Sequence, residues 1–185
     1  VSGLERTADM PPSVVIANHP DTLDLYICGA AVPKRAVYVG KKSLLYIPGF
    51  GLLYWLAGNV LINRSNSRHS KATLNATTDA LTKGNRSIWV FPEGTRNHGK
   101  NILPFKKGAF RMAIEAGVPI VPVCVSSYSG RLKLNKRVSG SVNIKVLEPI
   151  STVGMTVDDI EPLMNNCWHK MKQAIELLDD QILAV

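Results

Sequence analysis

Short apolar runs alternate along this chain with polar and amphipathic segments. SVVIAN, Ser13 to Asn18, reads as a buried strand, and a helix is predicted from about Thr22 to Ala31. Pro33 ends that helix, because the residue before a proline is pushed out of helical geometry. AVYVG, Ala36 to Gly40, is a second strand. From Ser67 to Thr82 the pattern is that of a polar, amphipathic helix, ended by Gly84 in the C-cap region. A strand over Ser87 to Phe91 follows, then a helix near Gly108 to Ala116 closed by Gly117, and a strand over Ile120 to Val125. Ser141 to Leu147 is predicted as a further strand and Val157 to Leu183 as a long C-terminal helix. Alternation of this kind predicts an α/β fold, a mostly parallel central sheet flanked by helices. No internal repeat and no linker-like stretch divides the chain, so residues 1–185 read as a single domain.

Ser43 to Ile62 breaks the rhythm. SLLYIPGFGLLYWLAGNVLI carries no charge over 20 residues, long enough in principle to span a bilayer. Pro48, Gly49, Gly51 and Gly58 oppose a spanning helix, since they would leave backbone groups unpaired in lipid. Two short helices joined at Pro48–Gly49 fit the pattern better. Three roles stay open: a membrane-facing or acyl-chain-lining element, a piece of ordinary core, or a true spanning helix. Tyr46, Tyr54 and Trp55 are residue types that settle at a membrane–water boundary, and Lys41 and Lys42 suit anionic headgroups. These features favour the first role.

Charge narrows the partners. A net charge of +8, from 22 Lys+Arg against 14 Asp+Glu, favours something anionic. The basic residues are scattered along the chain, with no helix-turn-helix, zinc-finger or RNP-like pattern, which argues against nucleic acid. Cys28, Cys124 and Cys167 lie far apart without a CxxC pair, and read as buried, reduced thiols suited to a cytosolic compartment. The sequence starts at Val1 rather than Met, so it reads as part of a longer protein.

Three constellations are able to do chemistry. In NHPDTLD, Asn18 to Asp24, His19 directly follows a predicted strand and Asp24 falls in the first turn of the next helix. Strand-to-helix turns at the carboxyl end of a sheet are where α/β folds build their sites. A neutral imidazole there accepts a hydroxyl proton while a carboxylate holds its other ring nitrogen. The plainer reading is that Asp21 or Asp24 caps the helix and His19 is a surface loop residue. In WVFPEGTRN, Trp89 to Asn97, a strand runs into a turn that offers Glu93, Gly94, Thr95 and Arg96, suited to a phosphate. Alternatively Glu93 and Arg96 pair and simply tie the turn down. Lys106 and Lys107 precede a helix start, again a place that attracts anions. Arg64, just after the uncharged stretch, either anchors the phosphate of a lipid or is a snorkelling surface charge.

NHPDTLD, KKSLLYIPGFG, GNVLINR, FPEGTRN and VPIVPV occur in the order and spacing of the four signature blocks of the 1-acylglycerol-3-phosphate acyltransferase family, which this chain resembles from Ala17 to about Val125, most closely its bacterial members. The resemblance implies His19 as general base with Asp24 as its partner. It assigns Arg64, Glu93, Gly94, Thr95 and Arg96 to the acceptor phosphate and glycerol, with Lys106 a looser candidate. Pro119 and Pro122 fall in the fourth block, near the acyl-donor side. Where the second block commonly reads Ile-Asp-Arg, this chain has Ile62-Asn63-Arg64, so a carboxylate beside the arginine is missing.

The expected function is transfer of a fatty acyl group from acyl-CoA or acyl carrier protein to the sn-2 hydroxyl of 1-acylglycerol 3-phosphate (lysophosphatidic acid), giving phosphatidic acid. An acyl thioester is already activated, so direct attack by the acceptor hydroxyl suffices, without metal or cofactor. A membrane surface is the expected setting, on the cytoplasmic face of the inner membrane, with an apolar anchoring segment before Val1. A relative using glycerol 3-phosphate or another lysolipid is the main alternative. A lipid-directed serine hydrolase is disfavoured because the chain has no GxSxG elbow. A non-catalytic lipid-binding module is disfavoured because His19 and Arg96 are both present.

Overall fold

The apolar residues of the first predicted strand divide between two faces of a sheet. In the computed structural model, which describes residues 1–62, 77–79, 81–133, 135–137 and 140–183, β1 (Val14–Ala17) is buried throughout. Val14 and Ile16 face one apolar layer and Val15 and Ala17 the other, as the two-residue period of a strand requires. A strand buried on both sides belongs inside a parallel sheet covered by helices. Here it lies in a six-stranded sheet of order β3-β2-β4-β1-β5-β6. The other strands are β2 (Ala36–Lys41), β3 (Val60–Ile62), β4 (Ser87–Val90), β5 (Ile120–Val125) and β6 (Ile144–Val146). All neighbours pair in parallel except β6, which runs antiparallel to β5.

Besides a short N-terminal turn α1 (Glu5–Ala8), the sheet is accompanied by α2 (Asp24–Ile27), α3 (Phe50–Leu56), α4 (Gly108–Ala116) and α5 (Ile160–Leu183), and residues 77–79 and 81–82 are helical as well. Two of them cover the face of Val14 and Ile16. From α4 come Ala109, Phe110, Met112 and Ala113, and from α5 the stripe Leu163, Cys167, Met171, Ala174 and Leu178, spaced three and four residues apart as one helix face requires. Full burial of a side chain such as Phe110 contributes about 1.5–3 kcal/mol. Gly117 takes a φ of 64° and closes α4, a left-handed cap that glycine adopts without a Cβ penalty. A capping box between Thr156 and Asp159 opens the turn that leads into α5. On the opposite face, Trp89, Val121, Val123 and Val125 pack with Cys28, Ala31 and Tyr128. All three cysteines are buried and unpaired.

Several expectations need correction. The predicted strand over Ser141 to Leu147 contracts to β6, and α2 begins at Asp24 rather than Thr22, continuing as a 3-10 turn over Cys28–Ala31. Of the helix expected over residues 67–82, residues 77–79 and 81–82 are helical as expected, and the rest lies outside the described residues. The uncharged stretch forms a 3-10 turn (Lys42–Tyr46), α3 and then β3, an edge strand that was not anticipated. Among the described residues no helix is long and apolar enough to cross a membrane, so the spanning reading fails. Plain core fails too. Gly51 and Tyr54 are buried on α3, but Leu52, Leu53, Trp55 and Leu56 are exposed, as are Tyr46 and Ile47 before it. Gly40 lets α3 lie this close to β2, since a Cβ there would sit 2.5 Å from the Tyr54 hydroxyl.

Candidate active site

Because β1 and β4 are parallel, with Ile16 opposite Val90, both strands end at one edge of the sheet. Three residues beyond these partners, His19 and Glu93 come level. The backbone N–H of His19 donates to Glu93 Oε1 over 2.7 Å. Asn18 ties the same loop to β5: its amide donates to the Val125 carbonyl and accepts from the Val125 N–H, both over 2.8 Å. A side chain thus completes the ladder where the backbones diverge, satisfying groups that burial would otherwise leave unpaired.

The His19 ring stacks on Phe91, centroids 4.1 Å apart at 14°. Its Nδ1 lies 2.5 Å from Asp24 Oδ2. Asp24 is fully buried, whereas the His19 side chain is 23% exposed. Its other oxygen, Oδ1, accepts from the Tyr128 hydroxyl over 2.6 Å, and Oδ2 also accepts the Asp21 N–H over 3.1 Å. An ionised carboxylate only accepts, so Nδ1 carries the proton and Nε2 keeps the lone pair. No described residue bonds to Nε2. The dyad therefore presents a basic nitrogen at the carboxyl edge of the sheet.

The structure gives the two carboxylates of this loop different partners. Asp21 Oδ1 accepts the Thr22 N–H over 2.6 Å and Oδ2 accepts the Ser129 hydroxyl over 2.8 Å. These bonds, the Thr22 N–H foremost, hold its carboxyl below the usual range. Asp21 organises the loop while Asp24 faces the imidazole. No side chain caps α2, and His19 is part of a constellation rather than a lone loop residue.

Glu93 and Arg96 do not pair with each other. Glu93 is 3% exposed, and its Oε2 accepts from the Leu103 N–H at 2.8 Å and the Asn97 amide at 3.3 Å. Burial pushes its carboxyl above the ordinary value, and the N–H groups of Leu103 and His19 and the Asn97 amide offset part of that rise. In this placement Glu93 supports the His19 backbone. Arg96 points instead to the first block, its Nη1 donating to Thr22 Oγ1 over 2.6 Å. Thr95 is exposed on the same turn. Gly94 has a φ of 73°, and a Cβ there would meet Lys106 Nζ at 2.8 Å. Lys106 thus lies against the turn, whereas Lys107 pairs with Glu161 on α5.

Arg64 and Asn63 lie outside the described residues. Pro119 stands at the amino end of β5, the opposite edge from His19, and Pro122 is buried within that strand opposite Ile16. Asn18, Asn97 and Tyr128 were given no role from sequence. A polar residue straight after an apolar strand was the available signal for Asn18 and, more weakly, for Tyr128 in SSYSG. Among the described residues no cluster of three His, Cys, Asp or Glu is placed to hold a metal ion.

Comparison with known proteins gives a consistent pattern. Residues 1–126 match the family model described as Acyltransferase. The chain is 42% identical over 170 residues to a 1-acyl-sn-glycerol-3-phosphate acyltransferase of Haemophilus influenzae, covering 92% of this chain and 71% of that one. With the Escherichia coli protein of that name it shares 44% identity over 170 residues, covering 92% and 69%. With the human alpha form it shares 38% over 173 residues, covering 92% and 61%. The crystal structure of the 1-acyl-sn-glycerophosphate (LPA) acyltransferase from Thermotoga maritima superimposes with a TM-score of 0.76 at 26% identity, over 96% of this chain and 70% of that one.

Proposed function

The chain belongs to the acyltransferase family, and on that premise we propose the reaction that its site performs. It moves a fatty acyl group from a thioester donor to the sn-2 hydroxyl of 1-acylglycerol 3-phosphate, giving phosphatidic acid. The observation that carries this reading is the His19–Asp24 contact of 2.5 Å, which turns Nε2 away from the carboxylate, in a loop bonded to the turn bearing Arg96.

The acceptor hydroxyl gives its proton to His19 Nε2 as its oxygen attacks the thioester carbonyl. Asp24 holds the imidazolium that forms. Collapse of the tetrahedral adduct breaks the carbon–sulfur bond, and the departing thiolate takes the proton back from Nε2. No covalent enzyme intermediate is required, because the thioester arrives activated. Arg96 and Lys106 supply positive charge for the acceptor phosphate, and a guanidinium is suited to hold it through paired hydrogen bonds. Arg64, by its place in the sequence, joins them.

The donor is acyl-CoA or acyl carrier protein; a net charge of +8 suits either anionic partner. The enzyme works at a membrane surface, on the cytoplasmic side where these soluble donors occur. Support comes from the apolar side chains of the 3-10 turn and α3, which leave the same end of the sheet by way of β2. Tyr46 and Trp55 among them are residues of the interface type.

A free-thiol release assay with purified protein, each donor, and lysophosphatidate tests the reaction. Thiol release that requires the lysolipid and fails with its dephosphorylated form supports it. Release that is faster with glycerol 3-phosphate, or independent of any acceptor, contradicts it.

A further inference from the structure

Tyr128 lies outside the blocks that announced the site, yet it supports the buried end of the dyad. It follows β5 at the edge where His19 follows β1, and it is 2% exposed. Its hydroxyl donates to Asp24 Oδ1 over 2.6 Å, while Oδ2 of the same carboxylate faces His19 Nδ1. One carboxylate is thus shared between an imidazole and a phenol.

We infer that Tyr128 is a positioning residue for acyl transfer: its hydroxyl fixes the rotation of the Asp24 carboxylate and draws charge toward Oδ1, so that Oδ2 orients His19 without overbinding its proton. The inference rests on the reading of His19 as general base. The direction of the bond is settled by chemistry. An ionised carboxylate only accepts, and burial together with the bond to Asp24 pushes the phenol's ionisation well above its ordinary range. Tyr128 therefore remains a donor at any working pH. The other ionisable groups near this pair have separate roles. Asp21 is engaged by Thr22 and Ser129, and the Cys28 thiol is pushed up by burial and stays neutral. Glu93 bonds to the His19 backbone rather than to its ring.

Tyr128→Phe removes one oxygen and keeps the ring that packs with Val121, Val123 and Cys28. Losing a hydrogen bond to a charged group should lower kcat roughly tenfold. KM for lysophosphatidate should hardly move, because the phenol is buried and its hydroxyl is engaged by Asp24. The acid limb of the kcat/KM profile should shift to higher pH, since more charge on Oδ2 favours the protonated imidazole. A matching melting curve confirms that the variant is folded. The discriminating step is a cycle with Asp24→Asn, in which Tyr128→Phe should cost nothing further. Unchanged kcat with a superposed pH profile, or a tenfold loss that persists on Asp24→Asn, overturns the role of Tyr128. His19→Ala run alongside separates the two readings. If it abolishes turnover while Tyr128→Phe changes nothing, only the inference about Tyr128 falls; if it leaves turnover intact, the base assignment falls and the inference with it.

Discussion

The backbone N–H of His19 donates to Oε1 of Glu93 over 2.7 Å, and the Asn97 N–H returns a bond to the His19 carbonyl over 2.9 Å. Two loops from neighbouring parallel strands are thereby locked into one unit. Because Glu93 Oε2 also accepts from Leu103 and Asn97, the same carboxylate reaches toward the segment that leads into α4. The imidazole is held through its backbone by one buried carboxylate and through its ring by another.

Glu93→Gln should show what that support is worth. An amide keeps one acceptor oxygen but sets an NH2 against the backbone N–H that points at the other, so a bond is lost and a repulsion gained. A cost of about 1–3 kcal/mol in unfolding free energy is expected, together with a fall in kcat. Its pH dependence has a definite sign. The carboxyl is raised above its ordinary value of 4.5 by burial, so between that value and the raised one the folded state binds more protons than the unfolded. Wild-type stability from this group is complete below the window and declines as pH rises through it. The gap between wild type and Glu93→Gln should therefore be wider near about pH 5 than at neutrality in denaturant titrations.

Gly94→Ala tests the turn beneath the proposed phosphate site. Its φ of 73° disfavours any side chain, and the added carbon would meet the Lys106 ammonium at 2.8 Å. Backbone strain of about 1–2 kcal/mol is expected from the left-handed conformation. Displacement of Lys106 should raise KM for lysophosphatidate more than it lowers kcat, measured by thiol release at varied acceptor.

On the proposed role of its guanidinium in holding the acceptor phosphate, Arg96→Ala should raise KM for the phosphorylated acceptor at least as clearly as it lowers kcat. A charge-assisted bond of this kind predicts a loss of roughly tenfold or more in kcat/KM. With an acceptor that lacks phosphate, wild type and variant should converge.

The exposed apolar face of α3 predicts interfacial behaviour. Leu53 is 68% exposed and Trp55 59%, so replacing both with serine removes apolar surface without opening the core. Flotation with vesicles of anionic phospholipid should then recover less protein. Turnover with vesicle-borne acceptor should fall, while turnover with acceptor in detergent micelles should persist.

Much of this arrangement was legible because local pattern carried it. β5 and α4 fall where predicted, over Ile120–Val125 and Gly108–Ala116, since β5 is an apolar run opening just after Pro119 and α4 an amphipathic run closed by Gly117. His19, Asp24 and Arg96 were legible from motif spacing. β3 was not, because its three residues sit at the end of a long apolar stretch and become a strand only by pairing with β2. The partner of Tyr128 was hidden for a related reason: the residue lies 104 positions from the carboxylate that it bonds, and only the adjacency of β1 and β5 brings them together. The support that Glu93 gives to His19 was not legible, since nothing in FPEGTRN reveals that the carboxylate turns inward.

The central claim is that His19 takes the proton of the acceptor hydroxyl. Thiol release by His19→Ala, with lysophosphatidate in vesicles and a saturating donor, tests it most directly. General-base help is worth about 10²–10⁴-fold, so a drop in kcat of that size, with the melting temperature preserved, is the predicted result. Turnover close to wild type would contradict it.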